Sequence, residues 1–296
     1  MNKGCGTLLI LGNGFDINLG FPTSYKDFFK SEQFPFVRND QTCHSLGRFV
    51  FDKGVQNKWY DLENLLAVYG NTYQYRTYNG DKDDYKRLIL GLAAYLETVD
   101  FSKPKTDSVA ARILKAADDP LLPPAVYTFN YSSFETISSA LGLNNYSCYH
   151  VHGSLKNHDI VLGVGEYVNL EPSLSFLYKT SSIYYNSNGI LNSFNDYVNI
   201  IIFGLSLSQV DYPYFEDFFK DVAARKYIGL DKKYIRIITY DENSRLDILN
   251  NLRGMNSGLI KLGYSDFDII RVKDNIDELK VQEVVEKLNK HVKVVY

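Results

Sequence analysis

The sequence has few cysteines and little excess charge of either sign. Three cysteines, Cys5, Cys43 and Cys148, occur in 296 residues, and no two of them have C-x-x-C spacing. This excludes a zinc knuckle and a dithiol redox pair, and it is typical of proteins from a reducing compartment. The net charge of -3, with no block of basic residues, argues against a general nucleic-acid binder.

Long hydrophobic runs are also lacking. No stretch approaches the length of a membrane span. The N-terminal apolar run, Leu8 to Leu11, passes directly into glycines instead of continuing as the apolar core of a signal peptide. We therefore expect a soluble, cytoplasmic protein that contacts neither membrane nor nucleic acid.

Short apolar runs that each precede a loop and an amphipathic segment recur along the chain. This alternation is typical of buried parallel strands connected by helices. The runs lie at 7–12, 125–131, 149–153, 198–206 and 234–240, with a shorter one at 267–272. Amphipathic helices are predicted at 133–141, 214–227, 243–252 and 277–289. The pattern predicts an α/β fold, a Rossmann-like parallel sheet of about six strands.

Residues 25–120 interrupt this alternation. They contain helical patterns at 57–70 and 83–99, a polar stretch at 71–84 that predicts a loop, and no convincing strand. We interpret 25–120 as a helical insertion, or cap, that connects the first strand to the second within a single domain over 1–296.

Glycines or small polar residues follow four of the predicted strands, at 12–16, 128–132, 152–154 and 204–208. Ligands of open α/β sheets bind at the carboxyl ends of the strands, where the strand order reverses. The segment Gly12-Asn13-Gly14 predicts a strand, a tight turn and a helix, an order that can present backbone N–H groups to a phosphate. The third glycine of a dinucleotide fingerprint would fall at Ile17, so a turn that merely needs glycine explains this segment equally well.

Three side chains at these strand ends are candidates for nucleotide chemistry. Asp16 would either cap a helix or hold a ribose hydroxyl and stabilise a positively charged sugar. Asn13 offers a donor and an acceptor, or else occupies a left-handed turn. Asn130 ends an apolar strand, where its amide would bind a ligand or the N-terminus of the next helix.

Two histidines and two carboxylates allow more than one interpretation. His150 and His152 are two residues apart on a predicted strand, so both would point to one face. Such a pair can bind zinc with a carboxylate such as Asp211, which otherwise would cap the following helix. Trp59 and Glu63 lie one helical turn apart, and we interpret them as a packing residue and a solvated carboxylate.

The motifs resemble those of two families. Gly12-x-Gly14 with Gly20-x-Pro22, Thr128-x-Asn130, the segment 151–154 and Gly204-x-Ser206-Leu207 resemble sirtuin motifs in the same order. Nearly the whole chain resembles the bacterial AbiH-type abortive-infection family, through GNGFD (12–16), PTSYKDF (22–28), WYDLE (59–63), TFNY (128–131), HVHGSL (150–155) and FGLSLSQVDYPYF (203–215). The four-cysteine zinc module of sirtuins is absent, and Ser132 replaces a sirtuin Asp, which argues against protein deacylation.

This resemblance implies a sirtuin-like pocket that binds NAD as substrate or ligand and needs no metal. The catalytic residues it implies are Asn130, His152 and Asp16. The nucleotide contacts it implies are Gly12, Asn13, Gly14, Phe15, Thr128, Gly153, Ser154, Gly204, Ser206 and Asp211.

The resemblance further implies a phage-defence protein that hydrolyses NAD to nicotinamide and ADP-ribose. Two competing functions are a non-catalytic sensor of NAD or ADP-ribose, and a metal-dependent hydrolase or nuclease that uses His150 and His152. The sequence leaves open whether the protein forms oligomers and whether a phage-derived trigger acts on it.

Overall fold

The structure is a computed structural model that describes residues 6–38, 40–56, 61–72, 80–185, 190, 193–227, 229 and 232–293. Trp59, Cys5 and half of the polar stretch predicted as a loop, residues 73–79, lie outside these residues. Most of the other half belongs to helices, so the predicted loop is wrong there. The described chain forms two compact units. The first comprises Met1–Phe21, Phe101–Val151 and Asn186–Tyr296, and the second comprises Pro22–Asp100 and His152–Tyr185. The single domain with an insertion over 25–120 stays a prediction.

The first unit is built on a six-stranded parallel sheet, as predicted. Its strands are β1 (Gly6–Leu11), β2 (Ala125–Thr128), β3 (Ser147–His150), β4 (Tyr197–Phe203), β5 (Tyr234–Thr239) and β6 (Asp266–Arg271). Their order in the sheet is β3-β2-β1-β4-β5-β6, and every neighbouring pair is parallel. This is the Rossmann order, and it reverses direction between β1 and β4.

Helices cover the sheet and connect its strands. Those of the first unit are α1 (Asn13–Asn18), α6 (Val109–Ala117), α7 (Phe134–Ala140), α8 (Tyr212–Ala223), α9 (Glu242–Gly254), α10 (Leu259–Leu262) and α11 (Glu278–Lys293). Four of them, α7, α8, α9 and α11, agree with the amphipathic segments predicted from the sequence to within a few residues, except that α11 extends further toward the C-terminus. Between α6 and α11, Arg112 and Glu278 form a partly exposed ion pair with an N–O distance of 2.7 Å.

The core of the first unit explains why the central strands are almost wholly apolar. Leu8 and Ile10 of β1 lie beside Ile200 and Ile202 of β4, and all four side chains are fully buried. A strand that is buried on both faces of a sheet needs apolar side chains on both faces. Its sequence is therefore a continuous apolar run and not an alternation of apolar and polar residues.

The second unit has helices but no strand among its described residues over 22–100. Its helices are α2 (Tyr25–Lys30), α3 (Ser45–Gln56), α4 (Leu62–Thr72) and α5 (Asp81–Glu97). Two buried carboxylates in the first turn of α5 hold the start of α3. Asp81 accepts the backbone N–H of Leu46 at 3.0 Å, and Asp84 accepts that of Gly47 at 2.8 Å.

The remainder of the second unit, residues 152–185, is mostly loop. Two 3₁₀ segments, Pro172–Leu177 and Lys179–Ser181, and an isolated bridge between Val164 and Tyr178 give it local order. The sequence pattern extended the third strand to residue 153, but β3 ends at His150. His152 therefore lies beyond the strand, and the argument that His150 and His152 share one strand face is wrong.

Candidate functional site

Two glycine turns cross where the strand order reverses. The loop after β1 donates the N–H of Gly12 to the carbonyl of Phe203 at 2.9 Å, and the N–H of Gly14 to the carbonyl of Gly204 at 3.0 Å. These bonds continue the pairing of β1 with β4 past the end of β1, first to the last residue of β4 and then to the residue after it. Open α/β sheets hold their ligands at this topological position, where the strand order reverses.

The glycines at this crossing are required by backbone contact. A Cβ on Gly12 would lie 2.7 Å from the Gly204 carbonyl oxygen, and one on Gly14 would lie 2.7 Å from the Gly204 Cα. Gly204 has a φ of +69°, and a Cβ there would lie 2.3 Å from the backbone nitrogen of Phe15. Close packing of two turns therefore accounts for all three glycines, whether or not a phosphate also approaches them.

Asp16 lies at the centre of the polar groups next to this crossing. Its side chain is buried, and its carboxylate accepts hydrogen bonds from the side chains of Ser132 and Asn130. Burial raises the pKa of Asp16 to about 7, and the bonds from Ser132 and Asn130 oppose that rise. The carboxylate thus links α1 to the loop after β2, which is a different role from capping α1.

Asn130 is held from four directions. Its side-chain Nδ2 donates to Asp16 Oδ1 at 3.0 Å and to the carbonyl of Gly12 at 3.1 Å, which uses both amide hydrogens. Its backbone N–H donates to Thr128 Oγ1 at 3.1 Å, and its carbonyl lies 3.1 Å from His150 Nδ1. The side chain does not serve the N-terminus of α7, where Ser133 is the cap. A ligand could therefore bond to the Asn130 side chain only as a donor, with Oδ1 as the acceptor.

The other candidate residues of the first unit have mainly structural environments. Phe15 is buried edge-on against Phe203, with ring centroids 5.6 Å apart. Asn13 lies in the first turn of α1 with a helical backbone, so the left-handed turn is wrong. Asp211 accepts the backbone N–H of Ser208 at 3.1 Å and so completes a capping box on the 3₁₀ segment Gln209–Asp211. Its side chain makes no capping bond to α8, so the prediction that it caps that helix is wrong. Ser206 is exposed.

His152, Gly153 and Ser154 belong to the second unit, where they begin a tight loop. Gly153 has a φ of +78°, and a Cβ on it would lie 2.0 Å from the carbonyl oxygen of Asp159. The backbone N–H of Ser154 donates to Asp159 Oδ1 at 2.6 Å. The carbonyl of His152 accepts the N–H of Val161 at 2.8 Å, which closes the loop.

The imidazole of His152 lies in a buried polar row with two residues distant in sequence. Its Nε2 is 3.4 Å from Lys179 Nζ, and that ammonium donates to Glu63 Oε2 at 2.9 Å. Burial, followed by the charge of Lys179, holds the pKa of His152 well below its usual range. His152 is therefore a weak base.

The model of the bacteriophage abortive infection family AbiH matches residues 8–229, three-quarters of the sequence. The chain belongs to the AbiH family. A search of curated proteins finds no match.

Within the AbiH match lie all the residues proposed for the site, from Gly12 to Asp211, together with Glu63 and Lys179. The strands β5 and β6 follow the matched segment. Membership assigns the protein a role in abortive infection by bacteriophage, as the sequence motifs indicated.

Three residues of this AbiH chain have roles that sequence reasoning misses or misreads. Ser132 stands where sirtuins have an acid, but its hydroxyl binds the Asp16 carboxylate. Glu63 is buried and paired with Lys179, so the prediction of a solvated carboxylate is wrong. Lys179 carries no signal in the sequence, because only the folding of 152–185 brings it to Glu63. For Glu63, the sequence signal that could have indicated a role is its position in WYDLE, a segment that resembles the AbiH family.

The described part of the AbiH chain holds neither a clustered metal site nor a membrane-spanning helix. No group of three or more His, Cys, Asp or Glu side chains among the described residues is arranged to hold a metal ion. None of the helices in that part is both long enough and apolar enough to cross a bilayer.

Proposed function

We propose that this AbiH-family protein binds NAD at the carboxyl ends of β1, β2 and β4 and hydrolyses it to nicotinamide and ADP-ribose. In a phage-infected cell the loss of NAD would arrest growth, which is consistent with abortive infection. The observation that carries the proposal is the buried Asp16 carboxylate, fixed by Asn130 beside the reversal of strand order.

A fixed carboxylate suits the bond that must break. Cleavage of the bond between ribose C1′ and the nicotinamide nitrogen passes through an oxocarbenium-like state, in which positive charge develops on the sugar. Nicotinamide leaves as a neutral molecule and takes the bonding electron pair, so no strong general acid is needed. Asp16 would stabilise the sugar cation by its charge, since fixed groups are most effective where charge develops in the transition state.

Water completes the proposed reaction. Its oxygen forms the new bond to C1′, and one proton must be removed. The pKa of Asp16, raised to about 7 by burial, suits it to accept that proton at neutral pH. Asn130 Oδ1 would accept a hydrogen bond from the water and orient it.

The remaining contacts are also part of the proposal. Gly12, Asn13, Gly14, Thr128, Gly204 and Ser206 would shape the nucleotide site at the strand ends, with Phe15 and Asp211 supporting it through packing and capping. For His152, Gly153 and Ser154 the support is the resemblance of their sequence segment to that of sirtuins. His152 would act as a neutral hydrogen-bonding group, because its pKa is lowered.

The test is to incubate the purified protein with NAD and to quantify nicotinamide and ADP-ribose. Asp16→Asn and Asn130→Ala should each lower kcat on the order of 10²–10³-fold with little change in KM, because both groups act in the transition state. Asp217→Asn, which alters an exposed carboxylate on α8, is the matched control and should retain wild-type turnover.

Two results would contradict the proposed hydrolysis of NAD. Tight NAD binding without nicotinamide release, in buffer and in infected-cell extract, would contradict hydrolysis and support a sensor of NAD or ADP-ribose. No NAD binding at all would contradict both functions.

A further inference from the structure

The polar row of Glu63, Lys179 and His152 lies inside the second unit. Lys179 is 3% exposed and His152 is 4% exposed, and the Glu63 side chain is 12% exposed. Charged groups are seldom buried to this extent unless they are paired, since removing them from water is costly. Interactions of charges at the protein surface therefore do not explain why these three side chains lie together.

The backbone anchors the row at both ends. The N–H of Lys179 donates to the carbonyl of Val164 at 3.0 Å, within the isolated bridge. Glu63, on α4, also accepts the backbone N–H of Gly163. The ammonium is thus held at a fixed place between the carboxylate and the imidazole.

The chemistry of these groups decides which imidazole nitrogen carries the proton. A lysine ammonium has three donors and no acceptor. If Lys179 Nζ donates to Glu63 at 2.9 Å and faces His152 Nε2 at 3.4 Å, then Nε2 must be an unprotonated acceptor. The proton of a neutral His152 ring then resides on Nδ1.

The charges around the row favour the same state. Lys179 is the charged group that acts on His152 within the described chain, and an imidazolium there would face a second buried cation. Asp61 and the Tyr85 phenol face Glu63. Burial, with a contribution from the charge of Asp61, raises the pKa of Glu63, whereas Lys179 opposes that rise. A protonated Glu63 beside an uncharged amine is the competing state, and it would permit a proton on Nε2 of His152.

We propose that Lys179, held in place by Glu63, is a positioning residue that keeps His152 neutral with its ring proton on Nδ1. The part of this inference that concerns turnover rests on the proposed function, whereas the protonation state of His152 does not. His152 then donates a hydrogen bond through Nδ1 and takes up no proton during the reaction.

The test is side-chain NMR of the full-length, ¹⁵N-labelled protein, with the His152 signals assigned by comparison with His152→Gln. The wild-type ring should be a neutral Nδ1–H tautomer throughout pH 5.5–8. In the double variant Glu63→Gln/Lys179→Met, which removes both charges, the ring should become a mixture of tautomers and should be protonated at a higher pH than in the wild type. Lys179→Arg keeps a charged donor and should retain the wild-type tautomer.

Lys82→Met is the control, because Lys82 is an exposed lysine of the same unit, on α5. It should leave the His152 spectrum unchanged. An imidazolium above pH 5.5, an Nε2–H tautomer in the wild type, or a double variant with the wild-type spectrum would overturn the inference. If the double variant does not fold, the wild-type and Lys179→Arg spectra still decide.

The same samples separate this inference from the proposed function. Wild-type protein that releases no nicotinamide would contradict the hydrolase and leave the tautomer assignment intact. If NAD is hydrolysed, the double variant should lower kcat and alter the acidic side of the pH profile, and Lys179→Arg should largely restore both.

Discussion

Replacing Asp16 by Asn should change how the stability of the first unit depends on pH. The substitution keeps the size of the side chain and a hydrogen-bond acceptor for Ser132 and Asn130, but it removes the ionisable group. Asp16 is buried, and burial raises its pKa from 3.8 to about 7. Because the group is shielded from solvent, little of its effect on stability is lost to screening.

The sign follows from proton linkage. Between pH 3.8 and about pH 7 the folded chain keeps a proton on Asp16 that the unfolded chain releases. Raising the pH through this window therefore destabilises the fold, and above it the effect is constant. A shift of about three pKa units corresponds to about 4 kcal/mol over the whole window, and to about 2.5 kcal/mol between pH 5 and pH 7.5.

The assay is urea unfolding of the wild type and Asp16→Asn at several pH values between 5 and 7.5. Stability of the variant relative to the wild type should increase with pH by about 2.5 kcal/mol across that range. The slope should be near 1.4 kcal/mol per pH unit until the pH approaches 7.

The exposed carboxylate of Asp217 provides the control. Asp217→Asn should follow the pH dependence of the wild type. If the stability difference between Asp16→Asn and the wild type does not vary with pH, then Asp16 titrates normally and the reasoning from its burial is refuted.

Two further substitutions test the packing of each unit. Gly14→Ala should destabilise the first unit by roughly 2–3 kcal/mol, because its Cβ would lie 2.7 Å from the Gly204 Cα. The control, Gly258→Ala, should be nearly neutral, because no heavy atom lies within 4 Å of the added Cβ. Equal thermal stabilities of the two variants would contradict the close packing of the glycine turns. Lys179→Met should cost about 3–5 kcal/mol, since it leaves Glu63 buried without its partner, and adding Glu63→Gln should recover much of that loss in chemical denaturation. A double variant no more stable than Lys179→Met alone would argue against a buried ion pair.

The sheet could be predicted because the sequence pattern of each strand involves only residues that are close together in the chain. A strand buried on both faces must be apolar along its length, so the runs that contain Leu8 to Leu11 and Ile200 to Phe203 marked β1 and β4 directly. The limits of β3 were less predictable. Apolar and polar residues alternate from Tyr149 to Gly153 as in a strand, but the turn at Gly153 requires φ +78° and the chain leaves the sheet after His150.

Candidate site residues were predictable where they follow strands. Asp16 and Asn130 were identified because parallel strands present their carboxyl ends along one edge, and the structure joins these two side chains at 3.0 Å. The helix-capping roles that local sequence equally suggests for them are not the roles observed. A cap depends on neighbours in sequence, whereas the bond between Asp16 and Asn130 spans 114 positions.

The sequence by itself determined the apolar strands, the helices between them and the family, because each depends on residue types at short, regular spacing. Only the tertiary structure decided the charge states of the polar groups. Asp16 has its raised pKa, and His152 its lowered one, through burial by segments distant in the chain. Glu63 and Lys179, 116 positions apart, became an ion pair for the same reason. Desolvation and electrostatic interaction depend on distance in space, and a linear sequence does not specify that distance.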